Sequence, residues 1–251
     1  MKIGILEPEN FSQKVYQKLS LLAQLEVFEA DMSIEEFLSD KEILFIRLAF
    51  KINASFLQYC QKLKVICSPT TGLTHIDMEA MSKYNVKLIS LKNHTKKLTE
   101  IRATPEHTIG LLIALFRNYR TSILSTHNFH WDRYKCIGKE VFGSNIGIVG
   151  MGRVGRQVAT YLNTFGANVF YYDKSNNLNS YEYNSTLLSN VEEITKKCEA
   201  IILCASYNFF DAPILDRKLL LGMKDKYIVS GSWIIEKTPI LDEMYNKRYC
   251  G

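Results

Sequence analysis

The sequence predicts an α/β protein made of two domains, each with a doubly wound parallel sheet. Short apolar runs alternate with helical patterns along residues 1–98, and the same alternation continues in the second half of the chain. A polar stretch, Lys92–Thr99, separates the two blocks. Strands that alternate with helices form parallel sheets, because successive parallel strands need a crossover connection. We therefore expect a first domain over residues 1–98 and a second over residues 99–251.

The composition excludes several classes of protein. Hydrophobic residues make up 47% of the 251 residues and charged residues 23%, which suits a globular chain with one large core or two smaller ones. The net charge of +5 is mild and not clustered, so nucleic-acid binding has little support. No apolar run is long enough to span a membrane. The six cysteines lack C-x-x-C spacing, and a reducing, cytoplasmic setting fits them best.

Five apolar runs in the first block have the length and composition of buried strands. They are Lys2–Leu6, Leu25–Phe28, Glu42–Leu48, Lys64–Cys67 and Val86–Leu91. The helical spacing between them predicts four helices, over Ser12–Leu25, Ile34–Leu38, Ala54–Leu63 and Asp77–Tyr84. Ser33 precedes the second helix, where its hydroxyl can cap the free amides. No glycine-rich loop follows the first strand, so a ligand of this block is expected at the carboxyl ends of the strands.

Two loops at those strand ends are candidate anion sites. Arg47 could hold a substrate carboxylate or phosphate, but a solvated arginine at a strand end is an equally good interpretation. The backbone amides of Thr70–Leu73 could form an anion-binding nest, or this could be an ordinary β–α turn. His75 lies just past this turn, and we expect it to cap or pack rather than to catalyse.

The second block begins with a helix. Its start is indicated by Thr104, which we expect to be the cap, and by Pro105 in the first turn. One core-facing stripe is formed by four of its apolar residues, Ile109, Leu112, Ile113 and Phe116. The connector that follows, residues 128–143, is polar and aromatic and contains Trp131. An exposed segment of this kind could meet a second subunit.

A glycine-rich turn follows the apolar run Ile146–Val149. Gly150, Gly152 and Gly155 have the spacing G-x-G-x-x-G. These glycines allow a tight turn, close approach of the backbone to a pyrophosphate, and close packing of the next helix on the strand. The amides and the positive dipole end of that helix then face the phosphates. The pattern favours a dinucleotide site over an ordinary glycine-rich turn.

An acidic residue stands where a dinucleotide site needs one. The next strand, Asn168–Tyr172, is followed by Asp173, which comes 21 residues after Gly152. A carboxylate about 20 residues on accepts hydrogen bonds from a ribose 2′-hydroxyl and repels a 2′-phosphate. Asp173 therefore favours NAD, although Lys174 beside it leaves NADP as the alternative.

After Asp173 the alternation continues to the end of the sequence. A polar loop is expected over residues 175–185. The further predicted elements are helices over Val191–Lys197, Ile214–Met223 and Pro239–Asn246 and strands over Ala200–Ala205 and Tyr227–Ser230. The second sheet would then have four or five strands, whereas a complete dinucleotide fold usually has six. We therefore expect this sheet to be incomplete at the C-terminus.

Four motifs carry a resemblance to a known family. They are residues 64–77 (KVICSPTTGLTHID), residues 101–108 (IRATPEHT), Trp131–Arg133, and the glycine loop with the Tyr-Tyr-Asp that ends at Asp173. Together they resemble the D-isomer-specific 2-hydroxyacid dehydrogenase family. The resemblance implies a flavodoxin-like substrate domain over residues 1–98, a Rossmann NAD-binding domain over residues 99–251, and an active site in the cleft between them.

The same resemblance implies roles for residues on the cofactor side. In this family the residues after the second glycine contact the pyrophosphate, which carries over to Arg153 and Val154. The loop after the next buried strand contacts the cofactor, and here it consists of Ala205 and Ser206. With the three glycines and Asp173, these residues form the implied NAD site.

On the substrate side, Gly72, Leu73 and Arg47 match positions that commonly hold the substrate carboxyl group or its neighbours. The implied reaction moves a hydride between the nicotinamide and C2 of a 2-hydroxy or 2-oxo acid. The implied partner is a second copy of the chain, joined through the NAD-binding domain.

The family's catalytic arginine, glutamate and histidine have no counterpart, so we assign no catalytic residue. The arginine should follow the strand Tyr227–Ser230, where this chain has Trp233 instead, and all five histidines precede the glycine loop. Hydride transfer to a carbonyl needs a proton donor and a fixed cation, which Trp233 cannot supply. We expect activity to be absent or very weak. The alternatives to a diverged dehydrogenase are an inactive NAD(H)-binding or dimerisation module and a truncated gene product.

Overall fold

The molecule is known from a computed structural model. It describes residues 1–94, 98–175, 183–206, 212–223, 225–230, 249 and 250. The described residues form two compact units, one within Met1–Leu98 and one that begins at Thr99. Each unit has its own parallel sheet and its own hydrophobic core. The predicted α/β architecture with two parallel sheets is therefore confirmed.

The first unit is built on a five-stranded parallel sheet with the order β2-β1-β3-β4-β5. Its strands are β1 (Lys2–Ile5), β2 (Gln24–Val27), β3 (Ile43–Phe45), β4 (Val65–Ser68) and β5 (Lys87–Ser90). Its helices are α1 (Gln13–Ser20), α2 (Ile34–Leu38), α3 (Ala54–Leu57) and α4 (Met78–Lys83), and a 3₁₀ turn covers Leu91–Asn93. Helices α2, α3 and α4 bury apolar side chains in the core, whereas α1 has no buried residue.

Side-chain caps determine where the helices of the first unit begin. Ser33 accepts a hydrogen bond from the Glu36 amide at 3.3 Å, which confirms the predicted cap of α2. Asp77 accepts from the amides of two residues in the first turn of α4, at 3.0 Å each. Each such bond satisfies an amide that has no partner within the helix.

Two helices of the first unit are shorter than predicted. The helix expected over Ser12–Leu25 ends at Ser20, because the amides of Leu22 and Ala23 both donate to the Leu19 carbonyl and close a turn before β2. The helix expected over Ala54–Leu63 ends at Leu57. Helical periodicity continues through both turns, and apolar spacing cannot mark where backbone bonds change partner.

The second unit is built on a six-stranded parallel sheet with the order β11-β10-β9-β6-β7-β8. Its strands are β6 (Asn145–Val149), β7 (Asn168–Tyr172), β8 (Thr186–Leu187), β9 (Ala200–Leu203), β10 (Tyr227–Ser230) and β11 (Tyr249–Cys250). Its helices are α5 (Ala103–Phe116), α6 (Tyr119–His127), α7 (Arg153–Thr164), α8 (Val191–Lys197) and α9 (Arg217–Leu221). The expected count of four or five strands was wrong, because β8 and β11 have two residues each and produce no recognisable apolar run.

The start of α5 also differs from the prediction. The helix begins at Ala103 with Arg102 in the cap position and no side-chain cap bond, so Thr104 is not the cap. The Thr104 carbonyl instead accepts from the Thr108 hydroxyl at 2.8 Å, inside the first turns of the helix. The predicted apolar stripe is confirmed, since three of its four residues are buried and Ile113 packs against the same core.

Further along the second unit, the helix predicted over Ile214–Met223 is only the five residues of α9. Asp216 caps it by accepting from the Leu219 amide at 2.9 Å. The helix predicted over Pro239–Asn246 lies outside the described residues. Across the part of the chain that the structure describes, no helix has the length and apolar character needed to cross a membrane.

Candidate functional site

The glycine loop joins β6 to α7 at the point in the sheet where the strand order reverses. Strand β6 pairs with β7 on one side and with β9 on the other, so the chain leaves β6 in one direction and later returns in the other. Ligands of open α/β sheets bind at the carboxyl ends of strands at such a point. The fold therefore places the loop where a nucleotide would be held.

Two glycines of this loop are required by close backbone contacts. Gly150 has φ +97°, and a Cβ built there would lie 2.4 Å from the Ala205 amide nitrogen. A Cβ on Gly155 would lie 2.1 Å from the Gly150 carbonyl oxygen, so only a residue without a side chain lets α7 approach the loop this closely. The contact with Ala205 also shows that the loop after β9 lies directly against the glycine loop, as the predicted cofactor site requires.

The third glycine leaves space where the others are confined. A Cβ on Gly152 would meet no atom within 4 Å. Gly152 is the N-cap of α7 and has no side chain to accept from the first amides of the helix. A helix N-terminus of this kind attracts an anion through its amides and its dipole. Arg153 and Val154, which begin the helix, are half-buried beside it.

Helix α7 is fixed by its buried face and by two contacts with the start of the second unit. Val158, Ala159 and Leu162 pack into the core of the sheet. The Gln157 side-chain Nε2 donates to the Thr99 carbonyl at 2.9 Å, and the Arg153 guanidinium donates to the Ile101 carbonyl at 3.4 Å. Apolar packing and these two hydrogen bonds therefore fix the orientation of the helix end.

Asp173 lies at the end of β7 with its carboxylate held against the glycine loop. One oxygen, Oδ2, accepts from the Met151 amide at 2.7 Å. The other, Oδ1, accepts from the Ser175 amide at 2.9 Å and from the Ser175 hydroxyl at 2.6 Å. Burial alone would raise the pKa of this carboxyl, but these hydrogen bonds and the charge of Arg156 outweigh it and leave the pKa below its ordinary value. The carboxylate is therefore ionised at neutral pH.

Cys204 and Ser206 flank Ala205 in the loop after β9. The Cys204 amide continues the ladder to the Val149 carbonyl at 2.8 Å, which carries the sheet to the edge of the loop. Burial raises the pKa of the Cys204 thiol to about 12, so this sulfur is a neutral packing group and not a nucleophile. Ser206 is exposed. The glycine loop, the start of α7, Asp173 and Ala205 therefore lie close together at the carboxyl ends of β6, β7 and β9.

In the first unit, one of the predicted substrate residues lines a cavity and the other two do not. Arg47 is exposed and lines a cavity of about 440 Å³, while Gly72 and Leu73 are not among the residues around that cavity. The Arg47 guanidinium donates to the Glu9 carbonyl at 2.9 Å. Leu73 packs against the core, and Gly72 is exposed with no atom within 4 Å of a Cβ position.

Two side chains near these loops, the carboxylate of Glu7 and the imidazole of His75, were not predicted from the sequence to bind a ligand. The Glu7 carboxylate accepts from the amides of Arg47, Leu48 and Ala49 at 2.7–3.3 Å and so ties the loop after β1 to the loop after β3. His75 is 6% exposed, and neither ring nitrogen has a hydrogen-bond partner among the described residues. Burial lowers the pKa of His75, and the charge of Glu7 opposes this in part. The imidazole is packed rather than exposed, as expected.

Family models account for most of the chain. The model described as the catalytic domain of D-isomer specific 2-hydroxyacid dehydrogenases matches residues 5–101, and the NAD binding domain model of the same family matches residues 109–231. This chain belongs to the D-isomer specific 2-hydroxyacid dehydrogenase family. The NAD-binding domain of the family contains the glycine loop, Asp173 and Ala205, and NAD is its cofactor.

Curated relatives within the family include D-3-phosphoglycerate dehydrogenases. The protein from Methanocaldococcus jannaschii is 27% identical over 195 residues, which are 77% of this chain and 36% of the relative. The human protein is 32% identical over 136 residues, which are 54% of this chain and 25% of the relative. The chain thus spans about a third or less of the length of these relatives.

Solved structures of two dehydrogenases share the fold. NAD-dependent formate dehydrogenase from Staphylococcus aureus, in complex with NAD, has a TM-score of 0.85 at 20% identity and covers 99% of this chain and 79% of its own. D-lactate dehydrogenase from Aquifex aeolicus, with NAD and lactic acid, has a TM-score of 0.82 at 19% identity and covers 99% and 74%. These likenesses support the fold of this 2-hydroxyacid dehydrogenase family member and not its substrate.

The residues on which family chemistry would depend are only partly described. Trp233, where the catalytic arginine was expected, lies outside the described residues. In the part of the chain covered by the structure, no group of three or more histidine, cysteine or acidic residues is arranged to hold a metal ion.

Proposed function

We propose that this chain binds NAD(H) on the glycine loop of its second unit and is a diverged 2-hydroxyacid dehydrogenase with absent or very weak activity. The observation that supports the binding role is the fixed carboxylate of Asp173, held at 2.7 Å from the amide of the glycine-loop residue Met151. A carboxylate at this position accepts hydrogen bonds from the ribose hydroxyl groups and repels a 2′-phosphate, which favours NAD over NADP.

Different residues of the second unit would bind different parts of the cofactor. Gly152 leaves room for the pyrophosphate at the start of α7, where the amides that begin with Arg153 and Val154 and the helix dipole favour negative charge. Asp173 would bind the adenosine ribose. Ala205 and Ser206 would border the cofactor on the other side of the loop. When bound, NAD supplies the hydride acceptor, or NADH the donor.

A 2-hydroxy or 2-oxo acid remains the proposed substrate class if any activity is retained. Arg47 and the turn with Gly72 and Leu73 are the proposed contacts with its carboxylate. The Arg47 guanidinium is exposed and has one backbone partner, so donors remain for an anion. The relatives' names include phosphoglycerate, lactate and formate dehydrogenases, and this diversity does not select one acid.

A catalytically inactive NAD(H)-binding and dimerisation module is the second candidate. It is favoured by a set of exposed apolar side chains on α6 and the connector after it. Helix α6 has no buried residue, and the side chains of Phe129 and Trp131 are 98% and 88% exposed. Exposed apolar patches of this kind indicate contact with another protein surface, and a homodimer through the NAD-binding domain is the arrangement we propose.

Three measurements test these proposals, two on the purified chain and one on a surface variant. Fluorescence titration with NADH is expected to show saturable binding, and NADH oxidation is then assayed with pyruvate, glyoxylate, hydroxypyruvate and 2-oxoglutarate. Binding without turnover supports the inactive module, whereas saturable turnover that is lost in Arg47→Ala supports a diverged enzyme. A folded protein that gives no NADH signal contradicts both. Light scattering of Phe129→Ser/Trp131→Ser, which should be monomeric and still bind NADH, tests the dimer.

A further inference from the structure

Both oxygens of the Asp173 carboxylate accept hydrogen bonds from the protein. Among the described residues, three donors converge on it, namely the Met151 amide on Oδ2 and the amide and hydroxyl of Ser175 on Oδ1. A carboxylate has about four lone-pair positions, so roughly one remains for a ribose hydroxyl. Which direction that position faces depends on the groups that hold the other three.

The Met151 peptide is itself held from both sides. Its amide donates to Asp173, and its carbonyl accepts from the Arg156 Nε at 3.1 Å. Met151 is buried and stands between two loop glycines, so it has little freedom of its own. This side of the carboxylate is therefore fixed by the fold of the loop and the first turns of α7.

Ser175 supports the opposite side and does so with a side chain. Its hydroxyl donates to Oδ1 at 2.6 Å, a short bond of the charge-assisted kind, and its amide donates to the same oxygen at 2.9 Å. The hydrogen bond from the backbone amide depends on the local turn and would survive any substitution that keeps the turn. The hydroxyl bond alone depends on the identity of residue 175.

We propose that Ser175 is a positioning residue that holds the Asp173 carboxylate in the orientation that accepts the adenosine ribose and rejects a 2′-phosphate. This inference rests on the proposed NAD-binding function and adds a specificity-determining residue to it. Ser175 acts through Asp173, so its effect on cofactor choice must disappear when residue 173 carries no charge.

Calorimetric titration of the full chain with NAD⁺ and with NADP⁺ tests this inference. The wild type should bind NAD⁺ more tightly than NADP⁺. In Ser175→Ala the Kd for NAD⁺ should rise about threefold to tenfold, the range expected for one lost hydrogen bond, and the preference over NADP⁺ should narrow because the carboxylate can turn away from the phosphate. Ser175→Thr, which keeps the hydroxyl, should restore both values to within about twofold of the wild type.

A double-mutant cycle separates positioning from a general structural effect. Asp173→Asn should lose the preference for NAD⁺, and adding Ser175→Ala to it should change neither Kd further. The inference is overturned if Ser175→Ala leaves both affinities unchanged, if it binds NAD⁺ more tightly, or if its effect persists in the Asp173→Asn background. A folded wild type that binds neither dinucleotide overturns the proposed function together with this inference, whereas normal wild-type binding with an unchanged Ser175→Ala overturns this inference alone.

Discussion

Gly155→Ala and Gly152→Ala make a matched pair that separates the packing role of the glycine loop from its binding role. The added methyl group is the same, but its surroundings differ. At residue 155 the Cβ would lie 2.1 Å from the Gly150 carbonyl oxygen, which is backbone and cannot rotate away. At residue 152 it would meet nothing within 4 Å. On the proposed site it would occupy part of the space left for the pyrophosphate.

The two magnitudes follow from these surroundings. Overpacking typically costs about 1–3 kcal/mol and sometimes more, and the rigid obstruction at Gly155 belongs at the upper end. Replacing a helical glycine by alanine stabilises a helix by up to about 1 kcal/mol, so Gly155→Ala should lower the free energy of unfolding by a net ~2 kcal/mol. For a chain of this size that lowers Tm by about 4–8 °C. Gly152→Ala should lose no more than about 1 kcal/mol, which is the cost of alanine at an N-cap.

Binding should show the opposite order. Gly152→Ala should weaken NADH binding by about tenfold or more, because the methyl group occupies the approach of the phosphates to the backbone. Calorimetry gives Tm without ligand, and fluorescence titration gives the Kd below the melting range. A Gly155→Ala protein with wild-type Tm would refute the packing argument. A Gly152→Ala protein with wild-type NADH affinity would refute the placement of the pyrophosphate.

Three further outcomes are expected. Glu7→Ala should lower the stability of the first unit by about 1–2 kcal/mol, because the carboxylate accepts hydrogen bonds from three amides, and Glu7→Gln should recover part of the lost stability. Thermal denaturation of both variants measures the change, and equal Tm values for Glu7→Ala and the wild type would contradict the prediction. The pKa of Asp40 is lowered to about 2, first by the hydrogen bond from Lys2 and then by the one from Lys41. The stability that the ionised carboxylate contributes is therefore present above pH 3.8 and lost as pH falls towards 2. Asp40→Asn should lose less stability over that interval than the wild type. Burial lowers the pKa of His75 below 6.5, so the unfolded chain binds the proton more readily and the stability of the fold falls as pH drops below 6.5. His75→Leu should therefore raise Tm more at pH 5.5 than at pH 8, and an equal change in Tm at both pH values would contradict this pH dependence.

Local patterns predicted most of the elements, because burial imposes a period on the residues that face the core. Strand β10 and helix α8 lie where apolar and capping residues placed them, over Tyr227–Ser230 and Val191–Lys197. Strands β8 and β11 were missed because two residues have no period. Pairing across the sheet defines such strands, and the partner is distant in sequence.

The proposed site shows the same division. Gly150, Gly152, Gly155 and Asp173 were predictable because a phosphate loop constrains consecutive residues in one short stretch. Only the backbone bond of Ser175 had a signal in the sequence, since an aspartate side chain often accepts from the amide two residues on. No pattern could predict that the Met151 amide donates to Asp173, because the bond joins two strand ends that only the sheet brings together.

The amino-acid sequence by itself determined the α/β class, the family, the glycine loop and the acidic residue that accompanies it. Each of these features depends on residues that are close together in the sequence. Only the tertiary structure decided that Ala205 abuts Gly150, that Asp173 is held from both sides, and that Arg47 faces a cavity which Gly72 and Leu73 do not line. These are distances between segments far apart in the chain. They depend on strand order and on how closely backbones pack, and no local pattern carries that information.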